Sequence, residues 1–406
     1  MNILLINHYA GSDILGMEYR PYYLSREWVK MGHNVTILAA SFAHIRSIQI
    51  DVKRDFQEDI HEGIRYVWIK APQYKGNGFG RTRNMFTFIA KLWVNAKKIS
   101  TTYKPDLVIA SSTYPSDNYP AHRIAKISSA KYIYEVHDLW PLSPMELGGM
   151  SKNHPFIRMM QHGENYAYRH ADKVISILPK TKEYMQSHGL DPENWHYIPN
   201  GICGEEWENT ANIEEKTEML INKIRSEGNK LIAYTGSIGI ANALDNFILA
   251  AEQLSNKKIA FFIVGHGPEK DRLIKLCNKK KLTNVYFLNA VPKRSIPKLL
   301  DMFDILYIGL QRQPLFRFGI SPNKLIDYMM SGKAVIQAID AGNDIVGEAG
   351  CGISIEAENP EKLIESILEL VSKSNEELLQ IGTNGKAYAL QNHLYSKLAK
   401  DFIDVI

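Results

Sequence analysis

The run Ser321-Pro-Asn-Lys-Leu-Ile-Asp-Tyr-Met-Met-Ser-Gly332 holds the residue types of an anion site. Ser321 suits an N-cap, where its hydroxyl can accept a hydrogen bond from the first helical turn. Pro322 suits the first helical position, where a missing N–H costs nothing. Gly332 is a fitting stop, so the spacing predicts a short helix between them. The free N–H groups over 321–323 lie at the positive end of the helix dipole, which attracts a phosphate. Proline has no N–H, so that share falls to its neighbours. Lys324 adds a full charge in the same turn. Asp327 follows three residues later on the same face, within reach of a hydroxyl beside that phosphate. Phosphate clamp plus hydroxyl acceptor is the layout a sugar nucleotide needs. The same residues also describe a capped surface helix carrying an i,i+3 ion pair.

The elements that must position this helix belong to a chain of 406 residues, long enough for two domains. Hydrophobic residues make up 45% and charged residues 23%, a soluble globular balance without repeats or low-complexity runs. Cys203, Cys277 and Cys351 are far apart and form no metal or disulfide pattern, which fits a reducing compartment. No apolar run approaches the ~20 residues of a membrane span. Met1–Asn7 lacks a basic flank, so it reads as a buried strand rather than a signal peptide. A net charge of +4 is too small to argue for nucleic acid.

Strands are expected at Ile3–Ile6, Val35–Ala40, Ile64–Ile69, Leu107–Ser111, Tyr132–His137 and Lys173–Leu178, with helical stretches between them. The first helix is expected over 18–31, stopped by Gly32. After Ile198-Pro-Asn-Gly201 and an acidic helical segment the pattern restarts: Leu231–Thr235, Ile259–Val264, Val285–Leu288, Ile305–Gly309 and Ala334–Gln337. This alternation implies an α/β chain with parallel sheets covered on both faces. Most second-half strands run into a loop that could hold a ligand: Gly236-Ser-Ile-Gly239, Gly265-His-Gly-Pro268, Val291-Pro292 and the 321–332 helix. The expected division is 1–199, 200–385 and a last helix, 386–406, returning to the first domain.

Gly32-His-Asn-Val35, His137-Asp-Leu-Trp-Pro141, Ala171-Asp-Lys-Val174, Ile198-Pro-Asn-Gly201, Gly265-His-Gly-Pro-Glu269 and Ser321-Pro-Asn-Lys324 with Asp327 and Gly332 occur in this order. In that order and spacing the chain resembles retaining glycosyltransferases of family 4. The resemblance is strongest to the bacterial O-antigen and capsule subgroup that includes N-acetyl-L-fucosamine transferases. It implies the GT-B fold, two Rossmann-like domains facing each other across a deep cleft, with acceptor bound by the first and donor by the second. It implies donor-binding roles for Gly16, Gly236, Ser237, Val291, Ser321, Pro322, Asn323, Lys324 and Asp327, and catalytic roles for His137 and Lys324. Glu18, Tyr19 and Arg20 are the candidate acceptor contacts. Three departures stand out. Gly319 occupies the place of the first of two acids common in the family, Asp327 replaces the usual Glu, and Ile240 replaces a frequent cation. Lys324 and Arg317 are then the positive charges expected near the phosphates.

The implied reaction is a retaining, hexosyl-type transfer from a UDP-sugar to a saccharide on a lipid diphosphate, in bacterial surface-polysaccharide assembly. No DxD sits in a suitable loop, and the helix start with Lys324 can carry the leaving diphosphate's charge, so neither cofactor nor metal is expected. His137 alone would read as a strand-end histidine; its Asp-Leu-Trp-Pro context favours a site role. Glu164 reads as a solvated or structural helix acid. A UDP-N-acetylglucosamine 2-epimerase-like isomerase and a non-catalytic nucleotide-sugar-binding subunit share the fold and remain alternatives. Donor sugar, acceptor sugar, linkage and oligomeric state are not encoded legibly.

Segment 63–105 carries nine Lys/Arg and no Asp or Glu. Its part Arg83–Lys98 reads as a basic helix with an aromatic face. Either this is a docked helix with solvated lysines, or a surface for anionic lipid. The second reading places Arg81, Arg83, Phe86, Lys91, Trp93 and Lys97 at a membrane, on a cytoplasmic protein held peripherally at the inner face.

Overall fold

The computed structural model describes residues 1–76 and 78–406, and its contacts divide them into two compact units, Met1–Asn200 with Tyr395–Ile406 and Gly201–Leu394. Unit 1 contains β1 (Asn2–Ile6), β2 (Asn34–Ala40), β3 (Gln57–His61), β4 (Ile64–Ile69), β5 (Leu107–Ala110), β6 (Lys131–Val136), β7 (Lys173–Ser176) and β8 (Trp195–Tyr197). Their order is β3-β4-β2-β1-β5-β6-β7-β8, with only β3 antiparallel to its neighbour. β1 and β5, adjacent in space but far apart in sequence, form the switch point, the place where such sheets bind ligands at the carboxyl ends of their strands.

Unit 2 contains β9 (Lys230–Thr235), β10 (Ile259–Val264), β11 (Val285–Leu288), β12 (Ile305–Gly309), β13 (Ala334–Ala338) and β14 (Gly352–Ile355). The order β11-β10-β9-β12-β13-β14, parallel throughout, is the doubly wound 3-2-1-4-5-6 pattern. Uninterrupted apolar runs such as Ile259-Ala-Phe-Phe-Ile-Val264 are needed because both sheet faces are buried. Two cores result, one per face: Phe262, Leu306, Leu325 and Val335 on one side, Phe247, Phe261, Tyr307 and Ile336 on the other.

Every strand expected from the sequence is present. β3, β8 and β14 were not anticipated. β3 is mostly exposed and polar, β8 has three residues, and β14 begins at a glycine, so none shows a buried-strand pattern. The first helix is Arg20–Lys30, starting two residues later than expected. The expected boundary at 385/386 falls inside the helix Asn375–Asn392 of unit 2. The segment that packs on unit 1 is Tyr395–Asp404. There Trp28 Nε1 donates to Ala399 O at 3.0 Å, Tyr395 stacks on Tyr23, and Phe402 meets the Trp28 ring edge-on. These contacts bury an indole that would otherwise leave an unpaired N–H.

Candidate functional site

In unit 2 the candidate anion-site helix runs Asn323–Met330, packed by Leu325, Ile326, Met329 and Met330 against the core. Pro322, not Ser321, is its N-cap, and no side chain caps it. Ser321 is buried one residue further out. The difference leaves first-turn N–H groups without the hydroxyl expected to occupy one of them. Gly332, at φ +68, follows the helix as expected, and its N–H bonds Met329 O at 3.0 Å.

Tyr328 ties this helix to the end of β9. Its hydroxyl accepts from Thr235 N–H at 2.8 Å and donates to Thr235 O at 3.1 Å. The chain then turns through Gly236 at φ +136, a conformation that excludes most side chains. Gly265, at the end of β10, lies so close that a Cβ there would collide with Gly236 O. Lys324 reaches back under this loop. Its Nζ donates to Tyr234 Oη at 2.7 Å and Asn242 Oδ1 at 3.0 Å and sits 4.4 Å from the Tyr234 ring centroid. Tyr234 Oη and Asn242 Nδ2 both donate to Ser237 O, so loop and lysine are fixed by one network. Ser237 and Gly236 are exposed, as is Asn323.

Neither hydrogen-bond acceptor of Lys324 carries a charge. Burial therefore pulls its pKa down to about 7. Asp327 is half-buried, and its carboxylate makes no hydrogen bond among the described residues. Burial raises its pKa to about 6; Lys293 opposes that shift and Glu206 adds to it. An under-solvated cation and an unpaired carboxyl on one helix are suited to a ligand carrying an anion and hydroxyls. Val291 is half-buried in the loop after β11 and packs on the core.

Gly319 has φ +97 and ψ 175, a backbone that glycine tolerates and an acid does not. The Arg317 guanidinium covers the Phe318 ring at 4.3 Å, and Nη1 donates to Pro314 O at 2.7 Å.

In unit 1, His137 follows β6 and is almost completely buried. Its Nδ1 meets Glu18 Oε1 at 3.0 Å, and its Nε2 meets Glu135 Oε2 at 3.1 Å and Ser111 Oγ at 2.9 Å. Burial alone would disfavour the imidazolium, but Glu18 and Glu135 outweigh it and lift the pKa to about 10. Glu135 is wholly buried. Burial would raise its pKa, but Arg20 and then His137 hold it down at about 2. Arg20 Nε binds Glu135 Oε1 at 2.9 Å, and its remaining nitrogens donate to Pro199 O and Ile198 O.

Arg20 is thus a buried brace, and the expectation that it contacts acceptor is corrected: only 2% of it is exposed. Glu18 and Tyr19 retain partial exposure. The His137 ring nitrogens are spent on carboxylates, so the group can supply a fixed positive charge rather than a free base. Gly16 closes the loop before Glu18, its N–H bonding Ser12 O at 2.9 Å. Glu164 accepts from Gln161, Tyr168 and Tyr184 in the interior and is not solvated.

The residues missed from sequence are Glu135, Ser111, Tyr234, Asn242 and Tyr328. Glu135 had a signal, being the one acid inside the apolar strand Tyr-Ile-Tyr-Glu-Val. The others became visible only when distant loops met.

The basic segment (of which Asn77 lies outside the described residues) forms two helices, Phe79–Val94 and Ala96–Tyr103, not one. Two of its candidate membrane contacts are engaged elsewhere. Lys91 pairs with Asp55 at 2.6 Å and also donates to Lys70 O. Arg81 lies over the Tyr9 ring, with Nε 3.3 Å from Tyr9 Oη. The acids absent from 63–105 are supplied in space by Asp55 and Glu58. Arg83, Phe86, Trp93 and Lys97 are exposed, with Phe79 and Val94, although Arg123 covers the Trp93 ring. Among the described residues no helix is long and apolar enough to cross a membrane.

A glycosyl transferase 4-like domain matches residues 16–201, and a glycosyl transferases group 1 domain matches residues 216–388. The chain carries a domain of each of these two glycosyltransferase families. Its α/β units have the architecture of solved GT-B enzymes. It is similar to WcaI of Escherichia coli (strain K12), whose name assigns it to colanic acid biosynthesis as a glycosyl transferase. The two are 26% identical over 62% of this chain and 63% of WcaI, so the chain matches just under two thirds of that relative's length. A sucrose-phosphate synthase from Thermosynechococcus elongatus superposes with TM-score 0.73 at 14% identity, over 99% of this chain and 97% of that one. HepE of Anabaena, solved with UDP and glucose, superposes with TM-score 0.65 at 16% identity, over 100% and 98%.

Proposed function

We propose that this glycosyltransferase moves a hexosyl group, with retention, from a UDP-sugar to a saccharide carried on a lipid diphosphate, in assembly of a bacterial surface polysaccharide. The observation that carries the donor half is Lys324, held by the uncharged Tyr234 and Asn242 at the start of a helix whose first turn is uncapped. In the reaction an acceptor oxygen bonds to the anomeric carbon. The bond from that carbon to the diphosphate oxygen breaks, and the electron pair leaves on UDP. The ammonium of Lys324 and the first-turn N–H groups would neutralise the growing charge, so no divalent ion is required. Asp327 would accept the ribose hydroxyls. Within unit 1, His137, fixed as a cation by Glu18 and Glu135, would offer positive potential to an anionic group.

UDP in the HepE structure supports the choice of nucleotide, and the WcaI name supports the pathway class. For the acceptor, exposed Arg83 and Lys97 beside Phe79, Phe86 and Trp93 would hold unit 1 at an anionic cytoplasmic membrane surface. Incubation with a panel of UDP-sugars, with and without a lipid-diphosphate-linked saccharide, tests the reading. Acceptor-dependent transfer with retained anomeric configuration is expected. An epimerised donor, or binding without turnover, would overturn it.

A further inference from the structure

Gln337 is the polar exception on an apolar strand. Side chains of a strand alternate, so Val335, Gln337 and Ile339 point to one side of β13, and both neighbours join the core there. Gln337 is 1% exposed, and its Oε1 has no hydrogen-bond partner among the described residues. A buried amide oxygen left unpaired is disfavoured unless something else satisfies it. It borders a cleft of about 650 Å³ at the carboxyl ends of β13 and β14.

That cleft is separate from the Lys324 network. Gly236, Lys324 and Asp327 do not line it. Pro314, Ile339 and Ile355 supply apolar wall, and Arg317, Asp340 and Asp344 supply charge. The carboxylates are held in place. Asp340 accepts Ala357 N–H at 3.0 Å and pairs with Arg312, while Asp344 accepts Gly347 N–H at 2.9 Å and the Ser354 hydroxyl. Fixed carboxylates and an amide facing an apolar wall match a molecule with hydroxyls on its edge and C–H groups on its face. A second phosphate ligand would meet Asp340, Asp344 and Glu356 against the single cation Arg317 among the lining residues.

We propose that this cleft is a second carbohydrate subsite of unit 2, with the Gln337 amide as its central hydrogen-bonding group. The choice of a sugar as ligand rests on the glycosyltransferase reading; the cleft and the unpaired amide do not. The ligand class is a neutral saccharide, and its natural source is the acceptor glycan.

Saturation-transfer NMR on the full chain, with UDP in excess, tests this using the methyl glycosides of glucose, N-acetylglucosamine and L-fucose. At least one should receive magnetisation despite UDP. Gln337→Met should weaken that ligand by about tenfold, the worth of one good hydrogen bond. Ser354→Trp, which leaves Gln337 in place and fills the cleft, should abolish the signal. UDP calorimetry on the same samples reports folding of each variant and tests the donor site separately. If Gln337→Met does not fold, Ser354→Trp decides. No transfer to any probe, an unchanged signal in Ser354→Trp, displacement by UDP, or spermidine bound in preference to all three sugars would overturn the proposal.

Discussion

Lys324 and Asp327 share a helix but meet their expected ligand with opposite electrostatics. Burial makes Lys324 easier to deprotonate, and a bound diphosphate would reverse that. With a pKa of about 7 in the free protein, the amine is already charged below pH 7 and must take up a proton to bind above it. UDP affinity should therefore fall as pH rises from 7 to 9, beyond the range where a terminal phosphate itself titrates (pKa about 6). Calorimetry in buffers of different ionisation enthalpy should show proton uptake in that window. A pH-independent affinity, or the same slope in Lys324→Ala, would contradict the assignment. Asp327→Asn should weaken UDP by about tenfold through lost charge-assisted bonds to ribose, while melting stays near wild type. Unchanged UDP affinity would remove Asp327 from the site.

At the scale of elements, the Arg20–Glu135–His137–Glu18 network joins the first helix, β6 and the loop before that helix, and its charges balance. His137 has a folded pKa of about 10, above its ordinary 6.5. Its contribution to stability is complete below pH 6.5 and is lost as pH rises towards 10. Glu135, at about 2 against an ordinary 4.5, contributes fully above 4.5 and loses its share as pH falls towards 2. Urea melts should thus show unit 1 weakening on both sides of this window. Glu135→Gln leaves Arg20 buried and unpaired, which costs about 3 kcal/mol at pH 6, and it should flatten the alkaline decline. Wild-type stability with an unchanged pH slope would show that the network does not act as described.

The helix Phe79–Val94 gives a second test at this scale. The sequence alone pointed to Arg81 and Lys91 as lipid contacts, but the fold commits one to Tyr9 and the other to Asp55. Arg83→Ser with Lys97→Ser should weaken sedimentation with anionic vesicles roughly thirtyfold, at about 1 kcal/mol per cation. Lys91→Ser should have little effect, and high salt should release the wild type. Equal binding to neutral vesicles would point to an apolar anchor instead, and no binding to either would leave this face as plain surface.

Across the whole molecule, long buried strands were legible because a short apolar run between turn residues suits a strand covered on both faces and little else. β3, β8 and β14 were not, since an exposed or very short edge strand lacks that signature. The Asn323–Met330 helix was legible through Pro322, Lys324 and Gly332, with its cap shifted by one residue. Tyr234 and Asn242 were hidden because they meet Lys324 across 90 and 82 residues of sequence. Arg20 looked accessible beside Glu18 because no local pattern shows a partner 115 residues away.

The central claim is that unit 2 stabilises a departing nucleoside diphosphate with Lys324 and a helix start in place of a metal. The most direct measurement is acceptor-dependent UDP release in excess EDTA, wild type against Lys324→Ala. The account predicts full wild-type turnover and a loss in the variant of about 10²–10³-fold in kcat, the effect of removing one charge-stabilising donor, with an unchanged melting temperature. Wild-type activity abolished by EDTA and restored by magnesium or manganese, or a variant as active as wild type, would contradict it.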